Sequence, residues 1–418
     1  MIAPTIRIVE TDDAAVPAMA RVYADAYPVL EIASADALAG YTERMRATLE
    51  RPGTRYVVAE RGGAVLGVMR LYDYTMNVRG IDALTGGVGA VAVSLAHKRQ
   101  GIARALIAWY LDFYREREAP FAILHPFRPD FYRALGFGYG TPVQRYGFRP
   151  AALRSHGARG TVRLLDEGDF DAIVACTERV RRTTNGAIAR QPWALRQALG
   201  DPIRFVGVEE GGTLRGLMLT AVKRGSPETQ NRNRLVVRDL MYEEPVHLAA
   251  LLGYLRAQQD QFAEIFIETQ DPVMYLAADD PRDGSDRVIA PPAAHRVAET
   301  ALGMMYRVLD FERAFAHLGA AERPLVLRVD VSDAFYAPTA QAMTFRFLPN
   351  GAPQRDDDAA PDATLRIGIA DLSSVLVGSL ALRDVVRHRL ASVEPASALA
   401  SVARAFAADQ PPASTARF

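Results

Sequence analysis

Around Tyr56 the apolar and polar positions read as a strand, a Gly-Gly turn and a second strand, in "YVVAERGGAVLGVM" (Tyr56–Met69). Paired glycines accept the positive φ that a tight hairpin turn demands, and the flanking apolar runs supply the strands. The same pattern returns without a gap as "FVGVEEGGTLRGLM" (Phe205–Met218). Upstream, "IRIVETDDAAVPAM" from Ile6 matches "VRLLDEGDFDAIVA" from Val162, each a short strand, an acidic cap and a helix. Downstream, "ALIAWYL" from Ala105 matches "ALLGYL" from Ala250 at the apolar spacing of a buried helix. Three matches in one order predict two copies of a single α+β unit of roughly 150 residues.

The last part of the chain follows another pattern. After "LGMMYRVLDFERAF" (Leu302–Phe315) come the alternating strands "LVLRVDV" from Leu325 and "MTFRF" from Met343, then an acidic hairpin end. The strand "TLRIGI" from Thr364 leads into a helix expected to be capped at Asp371, "DLSSVLVGSLAL". A further helix is expected over Ala396–Ala407, before a Pro-Pro break and the ending "ASTARF". The expected division is 1–155, 156–304 and 305–418.

Composition narrows the function classes. Hydrophobic residues make up 49% and charged residues 23% of the 418, the balance of a globular chain. Lys plus Arg equals Asp plus Glu at 49 each, so nothing favours nucleic-acid phosphates or an anionic membrane as a partner. The only lysines are Lys98 and Lys223, so the basic residues are almost all arginine, which reflects coding bias. One cysteine, Cys176, excludes an internal disulfide or a Cys-cluster metal centre, and its apolar helical surroundings predict a buried structural thiol. Asp12, Asp13 and Asp25 stand where a signal peptide would carry basic and apolar regions, and no stretch of 18 apolar residues occurs. A cytoplasmic location without membrane insertion is the expectation.

The densest chemistry lies in "VGAVAVSLAHKRQGIARALIAWYLDFYRER", Val88 to Arg117. A β run passes through a short basic loop into a helix, so backbone N–H groups at the helix start stand beside Lys98, Arg99 and Arg104. Such a loop suits a pyrophosphate, and Gly101 and Ala103 are small enough for close approach. The same residues also fit an ordinary strand-to-helix junction with solvated cations. In the second copy "KRQGIA" becomes "EEPVHL" (Glu243–Leu248): two carboxylates repel phosphate and Pro245 has no N–H. Copy two is therefore expected not to bind the same ligand, with His247 structural or on the surface.

The segment resembles the acetyl-CoA motif of the GNAT N-acetyltransferases, falling on Lys98, Gly101 and Ala103 of this chain. The resemblance implies that Val91, Ala92 and Val93 offer backbone groups to the pantetheine arm. It likewise implies that Arg99, Gln100, Gly101, Ile102, Ala103 and Arg104 wrap the pyrophosphate, with Phe127 and Arg128 adding to the cofactor surface. Lys98 departs from the family's Gln or Arg. "FAILHPFRPDFYRALGFGYG" (Phe121–Gly140) resembles the next element of the family, in which a tyrosine donates a proton to the departing thiolate. That role falls on Tyr132, with Gly136 and Phe137 completing the motif. A phenol with a pKa of about 10 is protonated at neutral pH and able to donate. The competing reading is a packed aromatic among Phe131, Phe137 and Tyr139.

Taken whole, the chain resembles the Eis (enhanced intracellular survival) family of N-acetyltransferases. The likeness implies an active GNAT domain, a degenerate second one and a sterol-carrier-protein-like α+β domain at the end. It implies acetyl-CoA as co-substrate with no metal, and a primary-amine acceptor such as an aminoglycoside. A lysine of a protein or peptide is an alternative acceptor, and a non-catalytic protein binding an apolar ligand in the last domain an alternative class. It also implies a homohexamer, and the terminal carboxylate of Phe418 as the base. An α-carboxyl of pKa ~3.3–3.7 is an ionised acceptor at neutral pH. A frayed terminus is the alternative there, and Arg417 beside it would not attract a cationic amine. His97 is expected as a loop contact and His125 is given no catalytic role. His156, His295, His317 and His388 have no ligand spacing. Asp25 and Glu31 are expected in solvent; Tyr23, Tyr27 and Trp109 are expected as packing.

Overall fold

The computed structural model describes residues 6–155, 157–200, 202–225, 233–283, 288–290 and 294–416. His156, Arg417 and Phe418 lie outside them. The chain forms two compact units, one of residues up to 140 together with 304–411, the other of 141–303 together with 412–416.

In the first unit, β1 (Arg7–Thr11) is followed by α1 (Val16–Ala26) and α2 (Ala35–Leu49). Next come β2 (Thr54–Arg61), β3 (Ala64–Val78) and β4 (Ile81–Val93), then α3 (Ile102–Glu116), β5 (Phe121–Leu124), α4 (Pro129–Ala134) and β6 (Gly138–Tyr139). The β2–β3 turn is the expected Gly62-Gly63 pair, both at positive φ. Alternation along β2 and β3 sends Val57, Met69 and Leu71 into one core with Leu106, Tyr110 and Tyr114 of α3. Tyr56, Val58 and Val68 go to the other face, against Met19 and Tyr23 of α1. Covered on both faces, these strands read as nearly continuous apolar runs, and each fully buried aliphatic side chain contributes ~1.5–3 kcal/mol.

The sheet order is β1-β2-β3-β4-β5, then the strand Met305–Val308, then β6. Met305 and Val308 pair with Leu124 and Phe121, so residues expected to open the third domain complete the first sheet. The mirror event occurs at β7 (Val143–Phe148), which follows β6 in sequence but pairs with Glu264–Thr269 in the second unit. There the order is Thr161–Leu165, Ile203–Glu210, Thr213–Lys223, Arg234–Tyr242, Glu264–Thr269, β7, Ala298–Ala301. Both sheets thus share one topology, and in each the sixth place is filled by the strand the other repeat would have supplied. The sheets change at 140/141 and 303/304, the first of these well ahead of the boundary expected at 155.

The rest of the first unit carries a five-stranded sheet, ordered Gly351–Arg355, Ala342–Leu348, Leu325–Ser332, Ala363–Gly368, Ala391–Glu394. The expected strands from Leu325, Met343 and Thr364 are all present. The following helix begins at Ile369 rather than being capped at Asp371, and Gly378 in the left-handed region ends it after Val377. Asp371 lies in its first turn and pairs with Arg133 of α4. All nine residues of this helix are buried. Ser374 and Ser379 donate to the Tyr139 carbonyl of β6 at 2.8 and 2.6 Å, and Ser373 accepts from Val308 N–H at 3.0 Å. The last sheet is thereby joined to the first and shares its unit.

Candidate active site

A break in the β3–β4 ladder opens the site. Val68 faces Ala92 and Arg70 faces Gly89, so β4 carries an extra residue between them, with Ala90 at φ 49°. A bulge of this kind bends its strand and re-aims the residues beyond it. On its other edge β4 pairs in parallel with β5 only as far as Val88 and Leu124. Beyond Val88 that edge is open.

Three residues were expected to present backbone there, and the register divides them. Ser94 N–H bonds the Leu66 carbonyl at 2.8 Å. Alternation then makes Ala92–Val68 the next hydrogen-bonded pair, so Ala92 spends its backbone groups on β3. Val91 and Val93 point theirs away from β3. The Val91 carbonyl accepts a 2.7 Å hydrogen bond from the Tyr27 hydroxyl, which gives Tyr27 a polar task as well as a packing one.

The basic loop comes next. Leu95–His97 form one 3-10 turn, with His97 Nδ1 3.2 Å from Ser94 Oγ. Arg99 (φ 62°) and Gly101 (φ 80°) both take left-handed backbone. A Cβ at Gly101 would meet no atom within 4 Å, so glycine is needed here for its conformation and not for space. Gly101 starts α3, no side chain caps that end, and the first helical bond is Ala105 N–H to Gly101 C=O at 2.9 Å. The N–H groups of Ile102, Ala103 and Arg104 therefore face outward without an intrahelical partner, a ready anion cradle. Ile102 is buried, anchoring the turn. Lys98, Arg99 and Gln100 are exposed, and Gln100 accepts from Arg61 at 3.2 Å. Arg104 is turned elsewhere: its guanidinium lies over the Phe335 ring, 4.8 Å from the centroid.

Tyr132 stands on α4, a helix opened by Pro129, with Arg128 just before it. Its backbone carbonyl accepts from Phe137 N–H at 3.1 Å, closing the tight turn through Gly136. Gly136 has φ 82°, and a Cβ there would fall 1.5 Å from Arg307 Nη1, so both the turn and the packing exclude a side chain. Tyr132 is 8% exposed. Burial pushes its pKa above the ordinary phenol value, and neighbouring Tyr27 adds to this. The proton is thus held throughout the neutral range. Tyr27 relates the two: its hydroxyl donates to the Val91 carbonyl, and its phenol is near enough to Tyr132 to act on it electrostatically. Phe127 is 83% exposed, and the Arg128 guanidinium pairs with Asp130, with Nε 3.2 Å from Oδ1.

The facing wall was not anticipated as a site. Arg70, Tyr72 and Tyr74 project from β3 in every second position, on the side of α1 and α2. Tyr23 stacks on Tyr27 at 6.0 Å and meets Tyr41 edge-on at 6.2 Å. An arginine inside the apolar run "VLGVMRLYDY" was the available signal. Asp25 and Glu31 are exposed, and Trp109 stacks on Phe113, as expected.

The second unit lacks the cradle. Pro245 opens the corresponding helix, and Glu243 is fixed by Arg179 at 2.8 Å and Arg215 at 3.0 Å. Burial pushes the Glu243 carboxyl up, but the two arginines outweigh it and keep it ionised. His247 is buried, with Nε2 3.0 Å from Glu210 Oε2. Cys176 is buried and its pKa is pushed up to about 12, so the thiol is inert at neutral pH. The tail is fastened in this unit. Ala413 N–H bonds Asn185 C=O at 2.7 Å, Ser414 N–H bonds Gln270 Oε1 at 2.5 Å, and Thr415 bonds buried Asp239.

Comparison with known proteins concerns the domains and the fold. Residues 7–140 match one acetyltransferase (GNAT) domain family and residues 186–308 match another. An uncharacterized N-acetyltransferase of Streptomyces avermitilis is 26% identical over 209 residues, covering 46% of this chain and 51% of that protein. The chain therefore spans about half the length of the curated relative it matches. Among solved structures, a probable N-acyltransferase from Enterococcus faecalis V583 aligns at TM-score 0.81 and 14% identity, covering 99% of this chain and 100% of that one. A GCN5-related N-acetyltransferase from Kribbella flavida aligns at 0.77 and 18%, covering 100% and 99%. Eis1 from Mycobacterium abscessus aligns at 0.78 and 21%, covering 99% and 100%. These likenesses are of fold. The chain thus carries two regions that match acetyltransferase (GNAT) domain families.

Proposed function

We propose that the first unit transfers an acetyl group from acetyl-CoA to a primary amine by direct attack. The observation that carries the reading is the pairing of an uncapped α3 start with the open edge of β4, beside a buried, protonated Tyr132. Pyrophosphate would sit on the N–H groups of Ile102, Ala103 and Arg104, with Lys98 and Arg99 adding charge. Val91 and Val93 would hold the pantetheine amides, and Phe127 would cover the cofactor. Of the loop's cations Arg104 contributes least, since its guanidinium is stacked on Phe335. No step uses a metal.

Tyr132 is the general acid. The thiol of CoA titrates at about 8.5, like a cysteine, below a buried phenol. Tyr132 therefore stabilises the developing thiolate chiefly as a hydrogen-bond donor. The base in this reading is the Phe418 carboxylate, the role the resemblance to the Eis family implies for it. The second unit serves as scaffold, its cradle occupied by Glu243 and its two arginines. A sterol-carrier-like origin for the last sheet draws support from its five strands around a buried helix.

The acceptor in this reading is a small-molecule primary amine, and the resemblance of the sequence to the Eis family implies a cytoplasmic location and a homohexamer. The deciding experiment combines calorimetry with acetyl-CoA and thiol release over an amine panel, for wild type and Tyr132→Phe. The variant should bind acetyl-CoA like wild type and turn over at least about 100-fold more slowly, the usual scale for a lost general acid. An unchanged rate removes Tyr132 as the acid. Size-exclusion with light scattering reads the assembly.

A further inference from the structure

We infer that Arg70 forms an anion-binding subsite for the acceptor, so that the favoured substrate carries a carboxylate as well as its primary amine. This rests on the acetyltransferase reading of the same unit. Arg70 lies on β3 opposite Gly89, next to the bulge at Ala90 that opens the site. Its side chain points to the α1 and α2 face, away from the phosphate loop at α3. The guanidinium stands over the Tyr72 ring at 5.0 Å, with the Tyr56 hydroxyl facing it and Tyr23 close by.

The neighbourhood is short of negative charge. Among the described residues no carboxylate pairs with Arg70, and its Nε is buried without a hydrogen-bond partner. The Tyr23 hydroxyl is likewise buried and unpartnered. Burial pushes Tyr23 upward and Tyr41 up to about 12, so neither phenol ionises to balance the arginine. A largely buried cation without a counter-ion is costly, and a guanidinium cannot shed its proton to escape. A carboxylate placed at the guanidinium, which already bonds the Tyr56 hydroxyl, would supply the missing negative charge in a charge-assisted bond.

Position connects this group to the chemistry. Tyr132 neighbours Tyr27, Tyr27 stacks on Tyr23, and Tyr23 neighbours Arg70. One aromatic wall therefore runs from the acid to the arginine. Arg44, over the Tyr41 ring at 5.5 Å, adds a second positive charge at its outer part. A polycation finds repulsion along this wall, and an amino-acid-like acceptor finds a partner for its acid end.

The test uses the full chain with Nα-acetylated lysine, ornithine and diaminobutyrate, each against its C-terminal methylamide, and with a neutral amine and an aminoglycoside. Wild type should favour at least one free acid about tenfold or more in kcat/KM over its methylamide, chiefly through KM. Arg70→Met should collapse that ratio towards one, and Arg70→Lys should keep part of it. Both variants should bind acetyl-CoA like wild type. Ratios near one in every wild-type pair, or preference for the neutral amine or the aminoglycoside over every acid, would overturn the assignment. The same pairs titrated calorimetrically into the wild type read the carboxylate preference without turnover. Failure of acetyl transfer is thus distinguishable from failure of the Arg70 subsite.

Discussion

The ion pair between Arg133 and Asp371 ties the helix that carries Tyr132 to the last sheet, and its two partners should not be equally costly to remove. Nη2 lies 2.5 Å from Oδ1, with side-chain exposures of 23% for the arginine and 8% for the aspartate. Arg133→Ala leaves the carboxylate nearly dry and uncompensated. Losing one partner of a buried pair costs about 3–5 kcal/mol, and the lower end applies to a pair open on one side. Asp371→Asn leaves a guanidinium that still rests over the Tyr139 ring at 5.2 Å and reaches water. That substitution keeps an oxygen acceptor for the guanidinium and should cost about 1–1.5 kcal/mol, the upper part of the range for an ordinary hydrogen bond. At about 2–4 °C per kcal/mol for a unit of this size, the melting point should drop by roughly 6–12 °C and 2–6 °C respectively. Thermal melts of both single variants and the Arg133→Ala/Asp371→Ala double variant decide it, and the double should recover part of the Arg133→Ala loss. Thiol release adds a second readout, because a loosened α4 should lower kcat for the neighbouring tyrosine while sparing acetyl-CoA affinity. A melt in which Asp371→Asn costs as much as Arg133→Ala would refute the reasoning.

Three further outcomes rest on other parts of the molecule. Gly101→Ala has room for its methyl but must hold φ near 80°, a strain of about 1–2 kcal/mol, so acetyl-CoA should bind about tenfold more weakly by calorimetry; an unchanged Kd removes the loop from the cofactor site. One glycine added after Phe418 displaces the terminal carboxylate and should reduce turnover sharply with acetyl-CoA affinity intact, and full activity would end the terminal-base proposal. Burial pushes Asp73 up, but hydrogen bonds from Arg55 at 2.8 Å and Tyr114 at 2.9 Å outweigh it and lower its pKa. A depressed folded pKa means stabilisation present above about pH 4 and lost as pH falls through the folded value. Asp73→Asn should therefore melt lower than wild type at pH 6, with the gap narrowing towards pH 3; a gap independent of pH would contradict this.

The parts of this molecule legible in the sequence are those in which neighbouring residues determine one another. The Gly62-Gly63 turn, the burial pattern of α3 and the loop through Gly101 are local, and pattern alone placed them. What stayed hidden is pairing across long separations. Nothing near Met305 says that it will lie between Leu124 and Tyr139, and nothing near Val143 says that its strand will pair with residues 265–269. An apolar tetrapeptide fits either sheet, so the boundary followed the repeat where the chain followed the exchange. Site chemistry divides in the same way. Tyr132 and Gly136 are four residues apart in sequence, and their motif could be read. Ala92 was grouped with Val91 and Val93 because a strand edge was expected, whereas the bulge at Ala90 decides which of the three faces outward. Arg70 is the sharpest case. At a period-two position among apolar residues, a charge in a sheet reads as a solvent-facing residue. Only the covering of that face by α1 and α2 turns it into a partly buried cation without a carboxylate partner among the described residues. The acceptor's chemistry is therefore encoded where sequence pattern is least informative, at a residue whose meaning depends on what folds over it.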